Sequence, residues 1–298
     1  MKILEINNLT KRYGRITAVN NLNLEVEEGQ IYGILGPNGS GKTTTLGIVL
    51  GIIFPDNGQY RWFEGQYGTG AQALRRIGAL LETPNFYPYM NAVQNLEVVA
   101  HIKRASNVDF DAILALVNLA HRKDALFKTY SLGMKQRLAI AATMVGDPSV
   151  LIFDEPTNGL DPTGIAEVRE TILKIADQGR TIFMASHMLD EVEKVCSHVA
   201  IIKNGQLLTT GAVGELLNKE VTVEVGAQNM EILRGVLSEA SFVNEVDVKL
   251  NILIAHVNEG YSAYDINQLA IQKGIVLTHL NERKRRLEEE FLQITSKN

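Results

Sequence analysis

The stretch Gly36-Pro37-Asn38-Gly39-Ser40-Gly41-Lys42-Thr43 decides the reading of this 298-residue chain. It has the spacing G-x-x-x-x-G-K-[ST]. The apolar run Ile31 to Leu35 precedes it, and a helix is predicted to start within Gly41 to Thr45 and run to about Leu50. Strand, glycine-rich turn and helix in that order are the context in which this motif cradles phosphate. Glycines let successive backbone N–H groups turn inward without Cβ clashes. The helix amino terminus adds the positive end of its dipole. The candidate phosphate-binding residues are therefore Gly36, Pro37, Asn38, Gly39, Ser40, Gly41, Lys42, Thr43 and Thr44. Lys42 is expected to reach the β- and γ-phosphates, and Thr43 to ligate Mg²⁺.

A second apolar run, Val150-Leu151-Ile152-Phe153, reads as a parallel strand buried on both faces. Asp154 and Glu155 follow it. In a phosphate-loop fold, an acid at the carboxyl end of a strand holds Mg²⁺, which makes Asp154 the candidate ligand. Glu155 is placed to polarise an attacking water. An acidic pair after a strand is by itself more often a helix cap. Here the phosphate loop supplies the partner it needs.

Around these two landmarks strands and helices alternate, which predicts an α/β fold with a mainly parallel sheet. The first 35 residues read as strands, with Leu22, Leu24 and Val26 alternating against Asn23 and Glu25. A mostly helical stretch from about 85 to 145 reads as an inserted subdomain. A helix after Pro162, a strand 181–184 and a helix 189–195 continue the core. Asn204-Gly205 joins strands 199–203 and 206–210 as a hairpin. From residue 219 a second pattern begins, read as a small α+β domain: strand 221–225, helix 229–240, strands 243–248 and 251–257, helix 261–273 and strand 275–280. A charged helix is predicted from Asn281 to about Thr295, with Arg285–Glu289 and Arg286–Glu290 as (i, i+4) pairs.

Composition narrows the function. Apolar residues make up 45% of the chain, enough for a sizeable core, and the formal charge is -5. That balance argues against nonspecific nucleic-acid binding, which needs basic surface. A single cysteine, Cys196, fits a reducing, cytoplasmic setting. No stretch approaches the ~18 apolar residues of a membrane span. Any membrane association is expected to run through an integral partner.

The segment Tyr130-Ser131-Leu132-Gly133-Met134-Lys135-Gln136-Arg137 lies between the two landmarks, and with it the chain resembles the nucleotide-binding subunits of ABC transporters. It keeps the serine, second glycine and basic tail of that family's L-S-G-G-Q motif and departs at Leu132 and Met134. The resemblance covers about residues 1–218. It implies that Ser131 and Gly133 meet the γ-phosphate of ATP held by a second copy of the chain, in a head-to-tail dimer. It puts Tyr13 where an aromatic ring stacks on adenine. It puts His187 where a histidine contacts the γ-phosphate, and Asp161 in the loop that communicates across the dimer. Glu82 stands where the family has a glutamine near the metal, making it a third candidate Mg²⁺ ligand. The aromatic loop Asn85 to Tyr89 falls where the family docks its membrane subunit, though packing on the helical subdomain would serve as well. The tail from about 221 resembles a small domain appended to export-type members.

The resemblance thus implies an ATP-hydrolysing subunit at the inner face of the cell membrane, driving export through a separate permease. The alternative is a soluble ATPase of the same superfamily acting on a ribosome or nucleic acid. Such proteins carry two such domains or a long coiled-coil split, and this chain shows neither. The remaining histidines share no metal-ligand spacing, and Trp62 reads as a packed strand residue.

Overall fold

The computed structural model describes residues 1–67, 70–81, 85–217, 221–250, 252–258, 260–284, 287 and 291. Two long antiparallel strands come first, β1 (Lys2–Tyr13) and β2 (Ile16–Glu27). On β2, Leu22, Leu24 and Val26 are buried while Asn23 and Glu25 face out, the alternation of a half-buried strand. Next come β3 (Ile31–Leu35), α1 (Lys42–Val49), β4 (Asn57–Trp62), the short α2 (Ala71–Leu74) and β5 (Ile77–Leu80). β4 pairs with β1 to complete a three-stranded antiparallel sheet, β2-β1-β4. Trp62 is buried here, its indole N–H donating to the Val49 carbonyl at 2.7 Å.

The helical insertion follows, with α3 (Ala92–Lys103), α4 (Phe110–Leu116) and α5 (Leu132–Met144). Asn91, Asp109 and Ser131 cap these helices, each accepting a backbone N–H three residues on. The chain then runs through β6 (Val150–Asp154), α6 (Pro162–Ala176), β7 (Thr181–Ser186), α7 (Leu189–Val195), β8 (His198–Lys203) and β9 (Gln206–Ala212). Asp161 caps α6, whose first residue is proline. Asn204 and Gly205 both have positive φ, the conformation a two-residue hairpin requires.

A six-stranded sheet results, in the order β5-β6-β7-β3-β8-β9. The first five strands are parallel. β3, β6 and β7 are buried along their whole length, as their continuous apolar runs require. Register sets the site. Leu35 pairs with Ser186, and Asp154 with Ala185. The carboxyl ends of β3, β6 and β7 therefore finish side by side.

The chain divides into two units, Met1–Gly211 and Ala212–Asn298, a division seven residues ahead of the boundary expected at 218. The second unit holds α8 (Val213–Leu217), β10 (Val221–Ala227), α9 (Met230–Ser238), β11 (Val243–Lys249), β12 (Ile252–Val257), α10 (Ala263–Gln272) and β13 (Leu277–Lys284). Its sheet is antiparallel, in the order β11-β12-β10-β13, the split βαβ arrangement of ferredoxin-like folds. Val223, Val225, Leu233, Leu237, Leu253, Ala255, Val257 and Ile266 form its core.

One expectation fails here. The charged helix predicted from Asn281 does not begin there, because β13 continues to Lys284. Asn281 and Arg283 alternate along the strand, and both reach Glu224 on β10, at 3.2 Å and 3.0 Å. A charged run is equally compatible with the solvent face of a helix or with one face of an edge strand, and pairing with β10 decided it. The pairs Arg285–Glu289 and Arg286–Glu290 lie outside the described residues.

Candidate functional site

The site is assembled where β3, β6 and β7 end. Gly41 caps α1 with φ 104°. A Cβ there would collide with the Ala18 carbonyl, and one on Gly36 with Ser40 and the Ile202 carbonyl. The loop is thus held in a backbone course that only glycine permits at these points. The hairpin turn braces it from outside. Gly205 N–H donates to the Ser40 carbonyl at 2.9 Å, and Asn20 N–H donates to Gly205 at 2.8 Å. In the sequence Asn204-Gly205 reads only as a turn. Its second role left no local signal, because it depends on β8 lying beside β3.

Lys42 is buried within the loop. Its ammonium donates to the Gly36 carbonyl at 2.8 Å and lies 3.5 Å from Glu155 Oε1. Glu155 itself has φ 49°, left-handed for a residue with a side chain, and its N–H donates to the Ala185 carbonyl at 2.9 Å. Such a conformation is tolerated only where surrounding contacts enforce it. Its Oε2 stands 2.8 Å from His187 Nδ1 and also accepts the His187 backbone N–H at 3.3 Å. Lys42, Glu155 and His187 therefore form a line of contacts through one carboxylate. The His187 side chain is 41% exposed, so the line opens to solvent at that end.

Asp154 lies one residue before Glu155 and is buried. Burial pushes its carboxyl above the usual carboxylate range; a hydrogen bond with Thr43 and the charge of Lys42 oppose the shift. Among the described residues, its Oδ1 has no hydrogen-bond partner. A buried, unsatisfied carboxylate oxygen beside a threonine hydroxyl is a donor set suited to a hard cation such as Mg²⁺. Ser40 Oγ in the loop is likewise buried without a partner. The third expected metal ligand, Glu82, lies outside the described residues.

The other candidates sit apart from this line. Tyr13 ends β1 and is 48% exposed, with Lys11 Nζ over its ring at 5.6 Å. Ser131 is exposed at the start of α5, its hydroxyl accepting the Met134 N–H at 3.2 Å. Among the described residues, no hydrogen bond joins Ser131 or Gly133 to the loop 36–43. In the aromatic loop, Phe86 packs edge-on against Phe127 at 5.2 Å, while Tyr89 is 75% exposed. The packing expectation thus describes Phe86, while Tyr89 stays at the surface. A cavity of about 490 Å³, lined by Arg104, Asp109, Met144 and Arg180 among others, opens away from this chemistry, near the amino ends of β6 and β7. No described helix is long and apolar enough to cross a membrane.

Residues 19–158 match the family model described as ABC transporter. The chain is 35% identical to the bacitracin transport ATP-binding protein of Enterococcus faecalis, over 98% of this chain and 96% of that protein. It is 38% identical to the lantibiotic transport ATP-binding protein of Streptococcus pyogenes, over 78% of this chain and 95% of the relative. Among solved structures, cbiO1 of Clostridium perfringens, part of an ABC transporter complex, superposes with a TM-score of 0.65 at 26% identity. That match covers 80% of this chain and 95% of the other.

Proposed function

We propose, from the premise that the chain belongs to the ATP-binding subunits of ABC transporters, that it hydrolyses ATP in a composite site between two copies and so drives export of an antibiotic peptide through a separate membrane permease. Its activity as an ATPase coupled to transport follows from the family. The composite site, the metal and the cargo are the further reading.

The observation that carries it is Glu155 held between Lys42 and His187. One carboxylate oxygen faces the cation expected on the phosphates, and the other faces the histidine. A water bound at this carboxylate is oriented for in-line attack while Lys42 and His187 stabilise charge on the phosphoryl oxygens. Asp154 and Thr43 would hold Mg²⁺, which when bound neutralises charge on the phosphate oxygens. Tyr13 gives the adenine an exposed ring to stack on. Ser131, exposed, and Gly133, half-buried, neither hydrogen-bonded to their own loop, are assigned to the partner's γ-phosphate, where the amino terminus of α5 favours an anion. Tyr87 and Tyr89 are assigned to the permease. The relatives' cargoes, bacitracin and lantibiotics, are antibiotic peptides, and that class is carried to this chain on their names.

The test is ATPase turnover against protein concentration, for wild type and Glu155→Gln, with size measurement in ATP. Turnover per chain rising with concentration, and an ATP-bound dimer accumulating in the variant, are the expected results. Strictly constant turnover per chain, with a monomer in both proteins, would sink the composite site.

A further inference from the structure

The amino ends of α5 and α6 lie against each other. A Cβ built on Gly133 would stand 3.5 Å from Gly164 Cα and 3.9 Å from Glu167 Oε2. One built on Gly159 would stand 3.8 Å from Leu132 Cδ2. The Ser131 segment, assigned above to the partner's γ-phosphate, and the Gly159–Asp161 loop, which the resemblance implies communicates across the dimer, are therefore packed on each other within one protomer.

Arg137 lies six residues into this arrangement, about 9 Å along the axis from Ser131 at ~1.5 Å per residue. It is only 4% exposed. Its Nη1 donates to the carbonyls of Val117 at 3.1 Å and Asn118 at 2.9 Å, just beyond α4. Its Nη2 pairs with Glu167 of α6 at 3.1 Å. Among the described residues, its Nε has no hydrogen-bond partner. A single guanidinium thus joins α5 to the end of α4 and to α6. Only a planar fork of several donors can satisfy all three acceptors; a lysine ammonium is a flexible point charge.

We propose that Arg137 is a positioning residue for ATP hydrolysis, locking the Ser131–Gly133 segment and the Gly159–Asp161 loop into one body so that both reach the partner's nucleotide in a fixed arrangement. The proposal rests on the composite site. Arg137 touches no part of the phosphate loop, so its loss leaves ATP binding to Lys42 and its neighbours intact. What it loosens is the geometry met only when two copies close, and a displacement of about 1 Å there slows catalysis steeply.

The experiment uses Arg137→Lys, Glu167→Gln and the double variant, each with and without Glu155→Gln. Glu167 is 38% exposed at its side chain, so its substitution keeps the fold safe. For Arg137→Lys, kcat falls roughly 10-fold with KM for ATP within about twofold of wild type. Glu167→Gln falls about threefold, and the double variant no further than Arg137→Lys alone, because the two share one interaction. With Glu155→Gln, the ATP-bound dimer weakens in the same order. Full kcat in both single variants, a rise in KM in place of the fall in kcat, or multiplying effects would overturn the proposal. So would a dimer of Arg137→Lys/Glu155→Gln as tight as that of Glu155→Gln. If Glu155→Gln alone forms no ATP-dependent dimer, the composite site itself fails and the proposal with it.

Discussion

His187 Nδ1 stands 2.8 Å from Glu155 Oε2, so the histidine and the carboxylate that end two neighbouring parallel strands share a hydrogen bond. The contact follows from register: β6 and β7 finish level, and each delivers its next side chains to the same place. Replacing His187 by alanine removes a side chain that is 41% exposed, so stability changes by less than ~0.5 kcal/mol. Turnover falls about 10²-fold with KM for ATP little changed, since the group acts on charge that develops during reaction. Steady-state kinetics beside a thermal melt separate the two effects.

Asp154→Asn separates function from stability in the opposite sense. Burial disfavours the charged carboxylate, and its Oδ1 has no partner, so an amide of the same shape relieves a desolvation cost. The melting temperature stays level or rises without nucleotide. Mg²⁺-dependent turnover falls at least ~10²-fold, as loss of a hard-cation ligand requires. A clear drop in melting temperature would contradict this account of Asp154.

Gly41→Ala tests the loop. The residue sits at φ 104°, and its new Cβ would meet the Ala18 carbonyl. Left-handed strain together with a backbone clash costs ~2–4 kcal/mol. Nucleotide binding is lost by titration calorimetry. Gly39→Ala, at φ 81° with open space around it, keeps the fold at a cost of ~1 kcal/mol.

In the second unit, the Glu224 carboxyl is held below its ordinary value by Asn281 first, and also by Arg283 and His279. A depressed carboxylate contributes stability above its unfolded pKa, and that contribution is lost as pH falls through the folded value. The urea midpoint of the full chain therefore declines on acidification below about pH 4.5, near an ordinary Glu pKa. Glu224→Gln flattens that decline without altering the midpoint's slope near pH 8. An unchanged acid limb in the variant would remove Glu224 from this role.

Local chemistry determined much of this protein from sequence alone. The loop Gly36 to Thr43 was readable because strand, glycines, lysine and helix are contiguous, and the acidic pair because a doubly buried strand is a continuous apolar run. Strand and helix periodicities placed nearly every element, with Asn281–Lys284 expected as helix and found as strand because a charged run suits the open face of either. Tertiary structure alone decided three things. Sheet order and register brought Glu155 to Lys42 and His187, residues 113 and 32 positions away in sequence. The hairpin at Gly205 came to brace Ser40, and Arg137, read as a basic tail, became the joint between three segments. Hydrophobic periodicity reports which face of an element is buried; it carries no information on which neighbour buries it, and these contacts depend on that neighbour.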